Sequence, residues 1–440
     1  MVGVLEAASP GSCEDGELAN LLVVGGHFSN LAASGAVAQG STSGMASHSG
    51  GANMRRREFM SCMASSAAAA LGAPAAANAE TFSQRPIKIG QSAPFTGPSA
   101  ALGLEMEDGI EACITAVNRV GGIFGRPIEY IRMDDGYDPD RTLDNVHKMI
   151  GAGVFGFCGF VGTPTSLRVL PVVTAARMAF VGAFSGAQGL RIPMNRYVFN
   201  VRAGYDLEAK KMVRQLTTFG DGARIALFVQ ADAYGDAVSS SVVAALEGLG
   251  LPGPVAIANV SRNAEGDALD AAVARAVDVF KAAGVSGIAM GTVYSACTRL
   301  VQALNAAHLF PMVASVSFVG TSNLLNCGNG ARGICVAQVM PAPMYPTIKV
   351  TQDYIAAMHD CGKSKLSYGS IEGYIAARTF VAGLRRCGPN PTRERFVSAL
   401  ESPLDLGGFE LDFSPKNHNG SRFVEMVQVT EGVSGNQIVR

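Results

Sequence analysis

The sequence is poor in charge. Asp, Glu, Lys and Arg make up 16% of its 440 residues, and 35 basic side chains against 36 acidic leave a formal charge of −1 at pH 7. The basic excess that would gather a polyanion is missing, so nucleic acid is not an expected partner. Beyond residue 79 no run reaches about 18–20 uninterrupted apolar residues, and no membrane-spanning helix is expected. The cysteines past that point (Cys113, Cys158, Cys297, Cys327, Cys335, Cys361 and Cys387) are odd in number and form no CxxC, so neither a metal nor a cofactor is called for. Cys158 and Cys335 sit in apolar, strand-like runs that suit small buried thiols. Cys327 and Cys335 could close a loop after export, and the sequence leaves that open. What is plentiful is apolar residues, 48% of the chain, enough for two core-bearing lobes.

Residues 1–53 are rich in Gly, Ser and Ala without sustained periodicity, and read as a disordered extension or a misassigned start. From Met54 the chain changes character. Arg55, Arg56 and Arg57 precede Phe59, a small and mildly apolar run spans 64–76, and Ala77-Asn78-Ala79 closes it. This is the order of an export signal, with adjacent arginines of the twin-arginine kind. Cleavage is expected after Ala79, which places the mature chain in the periplasm. Cys62 has almost no apolar run before it, against a lipid anchor.

From Arg85 short apolar segments alternate with helical periodicity. Strands are expected at 87–90, 128–133, 154–158 and 178–183, and helices at 104–119, 142–150 and 165–176. The pattern restarts with strands at 224–229, 255–260 and 287–290 and helices at 237–249, 267–283 and 295–307. Continuous apolar strands joined by helices imply parallel sheets covered on both faces. The fold class expected is therefore α/β, two doubly wound parallel-sheet lobes, with a joint near 200–206. In such sheets ligands sit beyond the carboxyl ends of the strands. The loops there (93–102, 162–166, 183–186, 231–236, 292–294 and 317–320) hold hydroxyls, glycines and aromatics and few charges, a lining for a small organic solute.

Three patterns invite other readings. Gly151, Gly153 and Gly156 satisfy GxGxxG, but they follow a helix and lead into a strand, the reverse of a dinucleotide site. Ser185 lies on a strand-to-helix turn one residue out of register with a nucleophile elbow, and His147, His308, His359 and His418 are not tied to it by spacing. An α/β hydrolase is thus a secondary reading, and a hydrogen-bond donor to ligand the main one. The acidic run 134–140 lacks the alternating ligands of a calcium loop and reads as a strand end, a turn at Asp138-Pro139 and a helix cap.

The residues 90–98 (GQSAPFTGP), 116–118 with Gly121-Gly122, Gly125-Arg126, Asp134-Asp135, 159–165 (GFVGTPT), 232–235 (DAYG) and 317–320 (SFVG) resemble, in this order, the type I periplasmic binding proteins. The resemblance is strongest to the leucine/isoleucine/valine receptors of ABC transporters and spans roughly residues 85 to 428. It implies a three-strand hinge and discontinuous lobes, 80–203 with 340–410 and 204–339 with 411–440. It implies that Thr163 and Ser185, flanked by Pro164, Thr165, Phe184 and Gly186, hold a ligand carboxylate, and that Tyr234, Tyr294 and Phe318 face it from the second lobe. Leu102 stands where the family has a capping aromatic, with Phe95 as a substitute. Near 318–320, where the acid that pairs a ligand ammonium is expected, there is no acid. Gly136 and Gly162 stand where the family has a disulfide. A buried ammonium without a counter-charge is costly, so the expected solute is carboxylate-bearing or neutral, aromatic solutes included, and not a standard amino acid.

The expectation is a non-enzymatic solute-binding protein that closes its lobes on a small molecule and hands it to ABC transporter permease subunits. A sensory module using the same closure is the alternative.

Overall fold

The computed structural model describes residues 85–218, 223–432 and 435–439; the expected extension and export signal lie outside them. In chain order the elements are β1 (Ile87–Ala93), α1 (Ala100–Arg119), β2 (Ile128–Asp134), α2 (Pro139–Gly151), β3 (Gly156–Cys158), α3 (Thr163–Ala175), β4 (Phe180–Val181), β5 (Val198–Phe199), α4 (Tyr205–Leu216), β6 (Ile225–Gln230), α5 (Ala233–Glu247), β7 (Ala256–Val260), α6 (Gly266–Ala282), β8 (Gly287–Gly291), α7 (Tyr294–Ala306), β9 (Met312–Ser315), α8 (Thr321–Leu324), β10 (Cys335–Gln338), α9 (Lys349–Asp360), α10 (Tyr368–Cys387), α11 (Arg393–Leu400), β11 (Leu404–Asp405), β12 (Glu410–Leu411), β13 (Glu425–Gly432) and β14 (Gly435–Val439).

Two sheets share one winding. The first runs β2-β1-β3-β4-β5, all parallel. The second repeats that order as β7-β6-β8-β9-β10 and adds β13 and β14 antiparallel at its edge. Helices cover both faces of each. In the first lobe α1, α9, α10 and α11 bury one face around Ile110, Ile371 and Phe380, while α2 and α3 bury the other around Phe157, Phe160 and Phe180. In the second, α4 and α5 lie on one face and α6 and α7 on the other. The burial of β6 at every residue of IALFVQ is the outcome of that double cover.

The chain passes between the sheets three times: from β5 to α4, from β10 to α9, and between Ser421 and β13. Residues 418–421 are still held by the first crossover, with Asn200 N donating to His418 O at 2.9 Å and Ser421 N to Val201 O at 3.1 Å. The C-terminal third therefore serves both lobes.

Helix starts differ from those expected. α3 begins at Thr163, two residues early, and α5 at Ala233, four residues early. Asp232 caps α5 by accepting from Tyr234 N, and Asp138 caps α2 by accepting from Asp140 N and Arg141 N. Side-chain capping outweighs apolar periodicity at α2 and α5, whereas α3 starts behind Gly162 without a side-chain cap; the early starts of α3 and α5 put Thr163 and Tyr234 in first helical turns.

Gly136 and Gly162, at the two places where the family's disulfide is expected, both have left-handed backbones (φ 56° and 106°). A side chain on Gly162 would overlap the Tyr137 ring, which packs there instead. All the described cysteines, Cys327 and Cys335 included, are free thiols. Gly162→Ala meets both the φ penalty and the ring, and is expected to cost about 1–3 kcal/mol in urea denaturation; an unchanged midpoint would contradict this packing.

Candidate functional site

In sheets of order 2-1-3-4-5 the connections reverse direction beside the first strand, opening a crevice at the strand ends. Here the two crevices lie between β1 and β3 and between β6 and β8, and the lobes bring them face to face. Phe318, on the short turn after β9, marks the centre. Its ring lies 5.3 Å from Phe184 of the first lobe, 4.7 Å from Tyr234 of the second and 6.1 Å from Tyr137. Leu102, Phe184, Tyr234 and Phe318 are all buried, so the lobes are shut on one another.

Behind Phe184 is a hydroxyl pair. Thr163 Oγ1 and Ser185 Oγ are 2.8 Å apart, and Ser185 Oγ also accepts from Ala187 N at 3.2 Å. Because one proton lies between the two oxygens, the pair keeps a single hydroxyl hydrogen for a third group. Thr165 is turned inward, its hydroxyl donating to Val161 O at 2.5 Å, and Pro164 has no N–H to offer, so both shape the start of α3. Gly186 leaves room for the ring of Tyr205, which a side chain there would overlap. Leu102 packs beside Gly320. Phe95 is half-buried, and its N–H goes to Asp134 at 2.8 Å. Tyr294 reaches the rim, donating from its hydroxyl to Pro98 O of the first lobe at 2.8 Å. Asn263 adds a second rim tie, from Nδ2 to Gly136 O at 3.1 Å.

Sequence reasoning missed the charges. Arg202, in the first crossover, is fully buried. Its Nη2 lies 3.5 Å from Glu208 of α4 and its Nη1 3.5 Å from Glu372 of α10, and its Cζ sits 4.9 Å from the Phe184 ring centre. None of its three nitrogens has a hydrogen-bond partner among the described residues, nor have Glu208 Oε1 and the Tyr234 hydroxyl. Burial opposes the charge on Arg202, and Glu372 and Glu208 restore it, holding its pKa above the usual value. Burial pushes Glu372 up to about 7 and raises Glu208.

Glu208 corrects one expectation. Its Oε2 accepts from Ser317 N at 2.6 Å, so a carboxylate does stand beside residues 318–320, delivered from another element. The argument against a ligand ammonium therefore loses its ground. A signal was present: Glu208 falls on the apolar stripe of α4 with Tyr205, Ala209 and Met212, and Glu372 between Ile371 and Gly373 on α10, where a charge needs a reason.

The remaining motifs have structural duties. Against the cost of burial, hydrogen bonds from Phe95, Thr96, Gly136 and Arg141 draw Asp134 down to about 2, and burial pushes Asp135 up to about 6. His418 stacks on Phe199 at 4.1 Å and faces Val198 O, while His147, His308 and His359 are exposed, so the hydroxyl partners of Ser185 are Thr163 and a backbone amide and not an imidazole. Gly151 ends α2 and Gly156 opens β3, a helix-to-strand connector. Elsewhere, a cavity of about 630 Å³ lies beside the second crossover, lined by Ser322, Ala342, Met344, Lys365, Tyr368 and Ile438 among others.

A family model described as "Periplasmic binding protein" matches residues 86–435. Among curated proteins, the Leu/Ile/Val-binding protein BraC3 of Rhizobium johnstonii is 22% identical over 327 residues, 73% of this chain and 84% of that one. Among solved structures, a possible leucine/isoleucine/valine-binding protein from Rhodopirellula baltica is 29% identical, with a TM-score of 0.72 over 82% of this chain and 98% of that one. A branched-chain amino acid ABC transporter protein from Thermus thermophilus with bound valine is 18% identical and shares the fold, with a TM-score of 0.71 over 81% and 96% of the two chains.

The raised pKa of Glu372 has a sign. The folded state holds its proton more tightly than the unfolded chain, whose value is near the ordinary 4.5. Its contribution to stability is complete below that value and is lost as pH rises to about 7. Glu372→Gln lacks this loss, so its stability relative to the parent should rise across that window in denaturation at stepped pH; a constant difference would contradict the assignment.

Proposed function

We propose, for a chain that belongs to the periplasmic binding protein family, that it captures a small organic solute between its lobes by hinge closure and delivers it to the permease of an ABC-type importer. The observation that carries this reading is the meeting of hydroxyl, aromatic and ionic groups from both lobes at the two crevices, shut away from solvent with hydrogen-bonding groups still unsatisfied. An unsatisfied buried polar group costs on the order of 1–3 kcal/mol, which a solute bearing matching groups would recover. Closure is favoured by a solute only to the extent that it binds the shut form better than the open one, and contacts from both lobes supply that difference.

The hydroxyl corner at Thr163 and Ser185 suits a carboxylate or another oxygen acceptor, with the solute's apolar part among Phe184, Tyr234 and Phe318. Carboxylate-bearing and neutral solutes, aromatic ones included, remain the first class to test, and Glu208 brings amino acids back beside them. Family membership supports a periplasmic site of action, with export by the segment 54–79 and cleavage after Ala79; the mature chain recovered from a periplasmic extract should begin at Glu80 by mass spectrometry.

A thermal-shift screen of the mature chain against carboxylic acids, aromatic acids, amino acids, amides and nucleosides tests the capture directly. A ligand raises the melting temperature with concentration by mass action. Thr163→Val combined with Ser185→Ala should weaken the best hit by about 10–100-fold in calorimetry while leaving the fold intact. A hit that is turned over, with turnover abolished in Ser185→Ala, would replace this reading with a hydrolase.

A further inference from the structure

The cavity of about 630 Å³ beside the second crossover shares no lining residue with the cleft. Its size is that of a small-ligand pocket, commonly about 300–1,000 Å³. Its walls come from three places. Leu325 and Ile438 belong to the second lobe, Leu366 and Tyr368 to the first, and Met344 to the crossover itself. Met344 is 52% exposed beside Tyr345 at 53%. Apolar surface therefore faces water at the mouth, where the apolar body of a ligand would cover it.

The polar side of the cavity is one-signed. Among the described residues that line it, Lys365 is the only charged side chain and no acid is present. Lys365 Nζ lies 3.3 Å from Glu105 Oε1 and donates to Asn323 Oδ1 at 3.5 Å. About half of that side chain is still accessible, at 53%, and an ammonium carries a third N–H. Glu105 does not depend on Lys365 alone. Its Oε1 accepts from Asn323 Nδ2 at 3.1 Å, and its carboxylate lies against Gly369 in the first turn of α10, where a helix favours negative charge. The ammonium is thus able to serve a second acceptor at the cavity. A carboxylate suits it best, since such a pair is a charge-assisted hydrogen bond. A cationic head would find no acid in the lining and would be repelled by Lys365.

We propose that this cavity is a second binding site, distinct from the cleft, for an amphiphile with an apolar chain and a carboxylate head, and that its occupancy favours the shut lobes. The chain lies among Leu325, Met344, Leu366 and Tyr368, and the head meets Lys365. Leu325 moves with the second lobe and Leu366 and Tyr368 with the first. A molecule touching both sides binds best to the lobe arrangement that brings them together. The site does not require a solute in the cleft.

The probes are decanoate, 1-decanol and decyltrimethylammonium, one chain with three heads, each kept monomeric. Calorimetry on the mature chain should show decanoate binding at least about tenfold more tightly than decyltrimethylammonium. Lys365→Gln should weaken decanoate by about 5–20-fold and leave decanol unchanged, which separates a lost head contact from a lost fold. Met344→Glu, at an exposed position on the mouth, should weaken decanoate through like charge. The double variant Thr163→Val with Ser185→Ala should bind decanoate as the parent does. In small-angle X-ray scattering, decanoate should reduce the radius of gyration of the solute-free chain. Absence of decanoate binding overturns the proposal, as does equal affinity for all three heads. Decanoate binding lost from the double variant places the molecule in the cleft and also overturns it, while leaving solute capture standing. An unchanged radius of gyration removes the effect on closure. Failure of the broad solute screen removes the capture reading and leaves this site to stand on the decanoate result.

Discussion

The buried guanidinium of Arg202 is the constraint around which the rest is arranged. It lies on the first crossover, reaches an acid on each lobe, and stacks near Phe184, so its burial depends on the two sheets being brought together. An isolated charge there would cost several kcal/mol. The acids at 3.5 Å on either side offset that cost, and because each belongs to a different lobe, the offset depends on the shut arrangement. The rim ties from Tyr294 to Pro98 and from Asn263 to Gly136 act in the same direction at the mouth of the cleft. Lobe geometry and site electrostatics are thus one problem.

The repeated winding explains why the polar groups converge. Two sheets of the same 2-1-3-4-5 order each open a crevice at the carboxyl ends of their strands. Three crossings set those ends opposite one another, and α3 and α5 start a few residues beyond them. Thr163 opens α3 and Tyr234 stands in the first turn of α5, so the backbone that ends each strand also aims each side chain. The contrast is with the 630 Å³ cavity beside the second crossover: its lining comes from loops, α8, the start of α10 and a sheet edge, and among the described residues none of it is an unsatisfied buried polar group.

Much of this was legible in the residues. Continuous apolar strands separated by helical periods fixed the α/β class, the restart near 224 marked the second lobe, and the order of short motifs pointed to the family. Thr163, Ser185, Tyr234 and Phe318 were named by the resemblance, and they lie three to five residues beyond β3, β4, β6 and β9; their contact with a solute is part of the proposal. Helix starts were less legible, since capping by Asp232 and Asp138 depends on single side chains. The ionic set escaped because Arg202, Glu208 and Glu372 meet only through the crossover and two different helices. An acid sought next to residue 318 by position arrives from α4, a lesson in reading a site by sequence neighbourhood alone.

A crystal structure of the mature chain with the tightest hit of the solute screen addresses the central claim most directly. The account predicts density for the solute between the ends of β3 and β6, with an oxygen within hydrogen-bond reach of Thr163 or Ser185 and a second polar group at Arg202 or Glu208. Solute density in the cavity beside Ala342 and Tyr368, with the cleft between Phe184 and Tyr234 empty, would contradict it.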